Sequence, residues 1–272
     1  MAGIETWRET VPALVADCAE RWQLTVGDAY PAGAAGHALR VELADGSPAV
    51  LKLIYPHRES EHEADALALW AGVGAVRLLD RDDARGAVLL ERCQPAAALD
   101  SLEPDAALDV LIGLLPRLWT PAGEPFHTLA DEAAWWLSYL PERWEQCGRP
   151  FERRLLGAAV DALSGLAPSQ GEQVLVNQDL HAGNVLSAER EPWLVIDPKP
   201  LLGEREFSVA PIVRGSELGH GRRQVLRRLD RLTSELGLDR ERARGWVIGQ
   251  TIAWDVDEEP GPGVEVVRWL VD

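Results

Sequence analysis

The apolar positions of the chain change period twice. Over residues 5–22, Val11, Leu14, Val15, Cys18, Ala19 and Trp22 recur at spacings of three and four, which predicts an amphipathic helix. From about residue 23 the period shortens to two. Residues 37–44 alternate, Asp45-Gly46 supplies a turn, and 49–55 is apolar and β-prone, so a hairpin is expected. A small-residue loop, 31–36, lies between two expected strands. A helix is expected over 58–72, with Ala64, Leu67, Ala68 and Ala71 on one face, followed by strands over 75–79 and 87–91. After Gln94-Pro95 the helical period returns, predicting helices over 104–118, 129–146 and 151–166. Residues 174–176 and 193–196 read as short strands around a polar loop, and 216–272 as mostly helix around a Pro/Gly-rich turn at 258–263. The expected architecture is α+β, with a small β-rich lobe over residues 1–92 and a larger helical lobe over 93–272.

Composition narrows the function classes. With 46% apolar residues in 272, the chain has ample material for a core. Its 27 basic and 44 acidic side chains give a net charge of −17, which argues against a general nucleic-acid binder and favours small cationic ligands. Cys18, Cys93 and Cys147 are scattered and odd in number, which fits neither a disulfide framework nor a zinc site. The acidic start lacks the pattern of a signal peptide, and no apolar run is long enough for a membrane span. A cytoplasmic protein, monomeric or weakly dimeric, is expected. Only two of the basic residues are lysine, Lys52 and Lys199, and both fall in segments that carry chemistry.

The strongest such segment is 177–186, NQDLHAGNVL, followed by 193–199, WLVIDPK. It places Asp179, Asn184 and Asp197 as a D-x-x-x-x-N loop with a later Asp. Phosphoryl transfer needs a carboxylate to orient a hydroxyl and oxygen donors for Mg²⁺, and this spacing supplies both. An ordinary hairpin, with Asp179 and Asn184 satisfying turn backbone groups, is the plainer alternative. Upstream, Lys52 sits inside an apolar strand, where a lone charge is costly without a partner. Glu63 on the next helix is the first candidate partner, with Glu61 and Glu59 behind it; an edge-strand lysine facing solvent is the alternative. Gly33 and Gly36 frame a loop whose N–H groups suit phosphates, although such turns are common. Glu91, Arg92 and Cys93 lie at the lobe junction, as an adenine-facing segment or a plain linker.

Taken in order, the Gly loop, VLK, the helix Glu, QDLHAGN and IDPK resemble the aminoglycoside phosphotransferase family, which has a protein-kinase-like fold. The segment IDPKPLLGEREFSVAPIVR is similar to the branch that holds streptomycin 6-kinases and hydroxyurea phosphotransferases. The resemblance implies ATP and Mg²⁺ as cofactors and Asp179 as the catalytic carboxylate, with Asn184 and Asp197 as metal ligands. It implies Lys52 as the phosphate-binding lysine with Glu63 as its partner, Gly33 and Gly36 over the phosphates, and Glu91 to Cys93 as an adenine hinge. Lys199 would touch phosphate or hold the loop by a salt bridge.

Two segments depart from the family pattern. Asn177-Gln178 stands where His-Gly is usual, and Ser208 follows Phe207 where an Asp is frequent. Altered loop support, rather than lost chemistry, is expected from both. The acceptor implied is a small, cationic, aminoglycoside-like molecule. Asp131, Glu132, Asp255, Asp257, Glu258 and Glu259 are candidate carboxylates for it, with solvated faces as the alternative. Trp135, Trp136 and Trp254 are candidates for ring stacking or for the core. Hydroxyurea, a sugar or amino-alcohol metabolite, and a nucleotide-binding pseudoenzyme remain alternatives. A protein kinase does not fit, because Pro198-Lys199 replaces the usual activation segment.

Overall fold

The computed structural model describes residues 2–31, 36–257, 259 and 261–272. Two compact units emerge, one of Met1–Ala96 with Ser187–Lys199, the other of Ala97–Leu186 with Pro200–Asp272. The segment 187–199 therefore groups with the first unit, although the sequence pattern divides the chain once, after residue 92.

The first unit is built on a five-stranded antiparallel sheet. Its strands are β1 (Thr25–Ala29), β2 (Gly36–Glu42), β3 (Pro48–Ile54), β4 (Leu78–Asp82) and β5 (Ala87–Glu91), in the order β1-β2-β3-β5-β4. The β2–β3 hairpin closes as the Asp45-Gly46 signal predicts: Asp45 accepts the Ser47 N–H at 2.9 Å and Gly46 takes φ 81°. Alternation sends Leu39, Val41, Leu51, Leu53 and Leu89 to one face, where α1 (Ala2–Trp22) contributes Val11 and Cys18 to the same core. Lys52, between Leu51 and Leu53, must face the other way; it lies opposite Ala38 and Val88. The helix α2 spans only Glu63–Trp70, because residues 58–62 are turns in which the Ser60 hydroxyl donates to the Tyr55 and His57 carbonyls. β4 begins three residues later than expected; the buried Ala75 bridges Val195 of the same unit instead.

The second unit is mainly helical: α3 (Pro104–Leu118), α4 (Leu129–Gln146), α5 (Arg153–Leu166), α6 (Ala210–Arg214), α7 (Arg222–Leu236), α8 (Arg240–Asp255) and α9 (Gly263–Val271). The helices α3 and α4 match the predicted bounds. β6 (Gln173–Asn177) pairs with β9 (Pro200–Glu204) and not with β8 (Trp193–Val195), which belongs to the segment grouped with the first unit and forms a hairpin with β7 (Val185–Ser187). α5 and α8 approach closely because Gly245 and Gly249 lie one turn apart on α8. A Cβ on either would come within 2.7 and 2.6 Å of Leu166 and Leu163. Trp136, Phe207 and Trp246 fill the centre of this unit, so Trp136 is core. No helix among the described residues is long and apolar enough to cross a membrane.

Candidate phosphotransfer site

In the first unit, Lys52 Nζ lies 2.6 Å from both Glu63 oxygens and 2.6 Å from Asp197 Oδ1. Lys52 is 9% and Glu63 1% exposed, so the sequence expectation of a carboxylate partner on the following helix is met by Glu63 itself. Burial works against the ammonium, but the Glu63 and Asp197 carboxylates outweigh it and hold the lysine pKa above its ordinary value. Glu63 is pushed upward, by burial first and by the Asp197 charge as well, since two carboxylates share one cation. Asp197 itself has φ 51°, a left-handed conformation that Asp tolerates better than most residues and that bends the backbone just after β8. Lys199 Nζ sits 3.4 Å from Glu59 Oε2, so the salt bridge anticipated for it is present.

Glu91 is engaged through its carboxylate. Arg190 grips it bidentately at 2.8 and 2.9 Å, and the Arg77 N–H adds a third bond at 3.0 Å. The same guanidinium donates to the Gly72 and Ala75 carbonyls, so it ties the β7–β8 turn to the sheet. Sequence reasoning missed Arg190, which is one arginine among many in a polar turn. Cys93 is buried, and burial, helped by the Glu91 charge, pushes its thiol up to about 11. Because the folded thiol keeps its proton longer than an unfolded one, stability is expected to fall as pH rises from 9.0 to about 11. Melting temperatures across that window should vary visibly less with pH for Cys93→Ala. Of the two loop glycines, Gly36 is at the start of β2, where a Cβ would stand 3.3 Å from Lys52 Cε, whereas Gly33 lies outside the described residues.

In the second unit, the loop after β6 presents Asp179. Asn177 Oδ1 accepts the Asp179 N–H at 3.0 Å, and the Asn184 amide donates to the Asp179 carbonyl at 3.1 Å. The Gln178 carbonyl accepts from Gln250 of α8 at 2.7 Å. The departure from His-Gly thus leaves a loop braced by other hydrogen bonds. Ser208, likewise, is buried between the Trp119 indole N–H and the Arg205 carbonyl at 3.1 and 2.6 Å. Two motif positions are structural: a Cβ on Gly203 would meet Leu129 at 2.8 Å, and buried Glu204 pairs with Arg242 and Trp246.

Asp179 opens onto a cavity of about 260 Å³ whose lining includes His181, Arg214, Glu217, Asp255 and Gly263. Arg214 Nη2 is 3.6 Å from Asp179 Oδ1, and its guanidinium lies 4.3 Å over the Trp254 ring. Glu217 accepts the Ala182 N–H at 3.1 Å and is 3.4 Å from His181 Nδ1. Burial disfavours the imidazolium, yet Glu217 and Asp179 overcome it and raise the His181 pKa. Asp255 is held upward by burial, against Arg214 and the Gly263 and Val264 N–H groups. Of the acidic candidates, Asp255 lines this cavity. Asp131 instead caps α4 with Thr128, Glu132 is buried, Asp257 pairs with Arg143, Glu259 is exposed, and Glu258 lies outside the described residues. Arg214 and Glu217 carry no sequence signal beyond their residue type, and both were missed.

A strand lysine held by a helix glutamate, in a sheet-built unit, with a D-x-x-x-x-N loop in a helical unit, defines the protein-kinase-like class of fold. Choline kinase LicA from Streptococcus pneumoniae has that fold at TM-score 0.65 and 14% identity, over 96% of this chain and 97% of that one. Residues 21–257 match the family described as aminoglycoside/hydroxyurea antibiotic resistance kinase. Similar curated proteins are streptomycin 6-kinase of Streptomyces glaucescens, 42% identical over 93% of this chain and 86% of that protein, and hydroxyurea phosphotransferase of Kitasatospora aureofaciens, 42% identical over 92% and 74%. The chain belongs to the aminoglycoside/hydroxyurea antibiotic resistance kinase family and is a small-molecule O-phosphotransferase.

Proposed function

We propose that this chain moves the γ-phosphoryl group of ATP to a hydroxyl of a small cationic acceptor, an aminoglycoside such as streptomycin. The observation that carries the reading is the buried Lys52 ammonium, fixed by Glu63 and shared with Asp197, in a chain of this family. Lys52 neutralises phosphate charge. Asp179 orients the acceptor hydroxyl and takes its proton as the oxygen bonds to the γ-phosphorus and the bond from that phosphorus to ADP breaks. Asp197 in the first unit offers a carboxylate and Asn184 in the second an amide oxygen, each a hard donor of the kind Mg²⁺ takes, and a bound ion would offset phosphate charge. Gly36 leaves room for the Lys52 stem, the backbone of Glu91 to Cys93 serves as the adenine edge, and Lys199 adds a second cation close in sequence to Asp197.

The acceptor side is acid-rich. Among the described residues, Asp179, Glu217 and Asp255 line the cavity with Arg214 and His181 as its basic groups, and the three carboxylates suit ammonium or guanidinium groups. Hydroxyurea is the second reading, supported by the equal identity to the Kitasatospora enzyme. Buried, unbridged cysteines fit a reducing cytoplasm.

Release of ADP, measured with streptomycin, other aminoglycosides, hydroxyurea and amino sugars, tests the reading. Release that needs both an aminoglycoside and Mg²⁺ is expected. Release with hydroxyurea alone selects the second reading, and no acceptor-dependent release overturns both. In the same assay, Gly36→Val, which must displace Lys52 Cε or the Leu53 carbonyl, is expected to raise the KM for ATP by roughly an order of magnitude.

A further inference from the structure

The helix α7 sends one arginine inward against its otherwise basic, solvated surface. Arg228 is 3% exposed, and its guanidinium is spent on four backbone carbonyls rather than on a carboxylate. Nη1 donates to Leu218 and Gly219 at 2.8 and 2.6 Å, and Nη2 to Val213 and Gly215 at 2.9 and 2.8 Å. Those four carbonyls are not an arbitrary set. Val213 and Gly215 flank Arg214, the residue 3.6 Å from the Asp179 carboxylate. Leu218 follows Glu217, the residue that holds the Ala182 N–H and faces His181.

We infer that Arg228 is a positioning residue for the acceptor side of the reaction: it fixes the 213–219 backbone so that Arg214 and Glu217 stand against the Asp179 loop. The inference rests on the proposed roles of Asp179 and its cavity. Its physical basis is the planar fork, which reaches acceptors on both arms of a loop at once; a lysine ammonium is a point donor and cannot span them. Burial lowers the guanidinium pKa to about 10, opposed by Glu217, so the group is still charged near neutral pH. A charged donor in a buried place strengthens each of its four bonds. The loop supplies little support of its own: the Gly215 N–H reaches back to Pro211, and the Gly219 N–H closes a turn on Ser216.

Steady-state kinetics of Arg228→Lys, at a temperature where circular dichroism shows the variant folded, test the inference. Acceptor kcat/KM should fall about 10- to 100-fold while the KM for ATP stays within about twofold. A purely structural arginine predicts unchanged acceptor constants per folded molecule, and that result overturns the proposal. The second readout is a double-mutant cycle. In an Arg214→Ala, Glu217→Gln background, Arg228→Lys should cost little more, because its targets are already gone; full additivity contradicts the proposal.

Should Arg228→Lys fail to fold, Gly219→Ala perturbs the same clamp from the loop side without leaving a buried charge. Gly219 has φ 91°, so an added Cβ strains the turn and displaces its carbonyl. A raised acceptor KM with an unchanged ATP KM is expected, and wild-type values for both overturn the inference. Asp179→Asn is run alongside. Full turnover in that variant would remove the functional reading itself, whereas an inactive Asp179→Asn beside a fully active Arg228→Lys removes only the clamp.

Discussion

Asp179→Asn is expected to lower kcat by about three orders of magnitude and to leave the KM for ATP within about twofold. The asparagine keeps the size of the side chain and the 3.0 Å bond from the Asp179 N–H to Asn177, so the loop retains its shape. What it removes is the negative charge that faces Arg214 and the carboxylate that the loop turns into the cavity. Without a proton acceptor, the hydroxyl must attack while still protonated, and general-base contributions of about 10²- to 10⁴-fold are lost. Residual turnover reflects binding and electrostatic stabilisation, which this substitution leaves in place. A change confined to acceptor KM would assign Asp179 to binding alone.

Lys52→Met has the second-largest expected effect, and it acts on stability as well as turnover. The substitution strands Glu63, 1% exposed, with no ammonium 2.6 Å away, and it removes the cation that Asp197 shares. Breaking a buried pair by deleting one partner costs about 3–5 kcal/mol, because the remaining charge keeps its desolvation penalty. Thermal unfolding should therefore shift down clearly, while kcat/KM for ATP falls by about two to three orders of magnitude through lost phosphate neutralisation. The double variant Lys52→Met, Glu63→Gln separates these effects. It removes the stranded charge, so the melting temperature should recover in large part, and activity should not. Recovery of activity with stability would reduce the lysine to a structural role.

The parts of the fold legible in the sequence were those set by local period. The β2–β3 hairpin, α3 and α4 follow from alternation, one turn signal and a 3–4 spacing. The pairing of β6 with β9 was not legible, because strand pairing is a long-range choice and the nearer apolar run, β8, offered an equally good partner. The helix α2 starts late, at Glu63, after turns in which the Ser60 hydroxyl and N–H close back on the Tyr55 and His57 carbonyls, an event of local geometry rather than of hydrophobic pattern. Among the candidate residues, Asp179, Asn184 and Asp197 could be read because they share a short segment with fixed spacing. Lys52 stood out because a charge in an apolar strand requires a partner. Arg190, Arg214, Glu217 and Arg228 are common residue types whose roles come from what the fold sets beside them, and spacing along the chain carries no trace of that.

The most direct test of the central claim is the mass spectrum of streptomycin after incubation with the enzyme, Mg²⁺ and ATP, beside an identical sample containing Asp179→Asn. The account predicts a product carrying one additional phosphoryl group with the wild-type chain and almost none with the variant. Unmodified streptomycin in both samples, or equal phosphorylation in both, would contradict it.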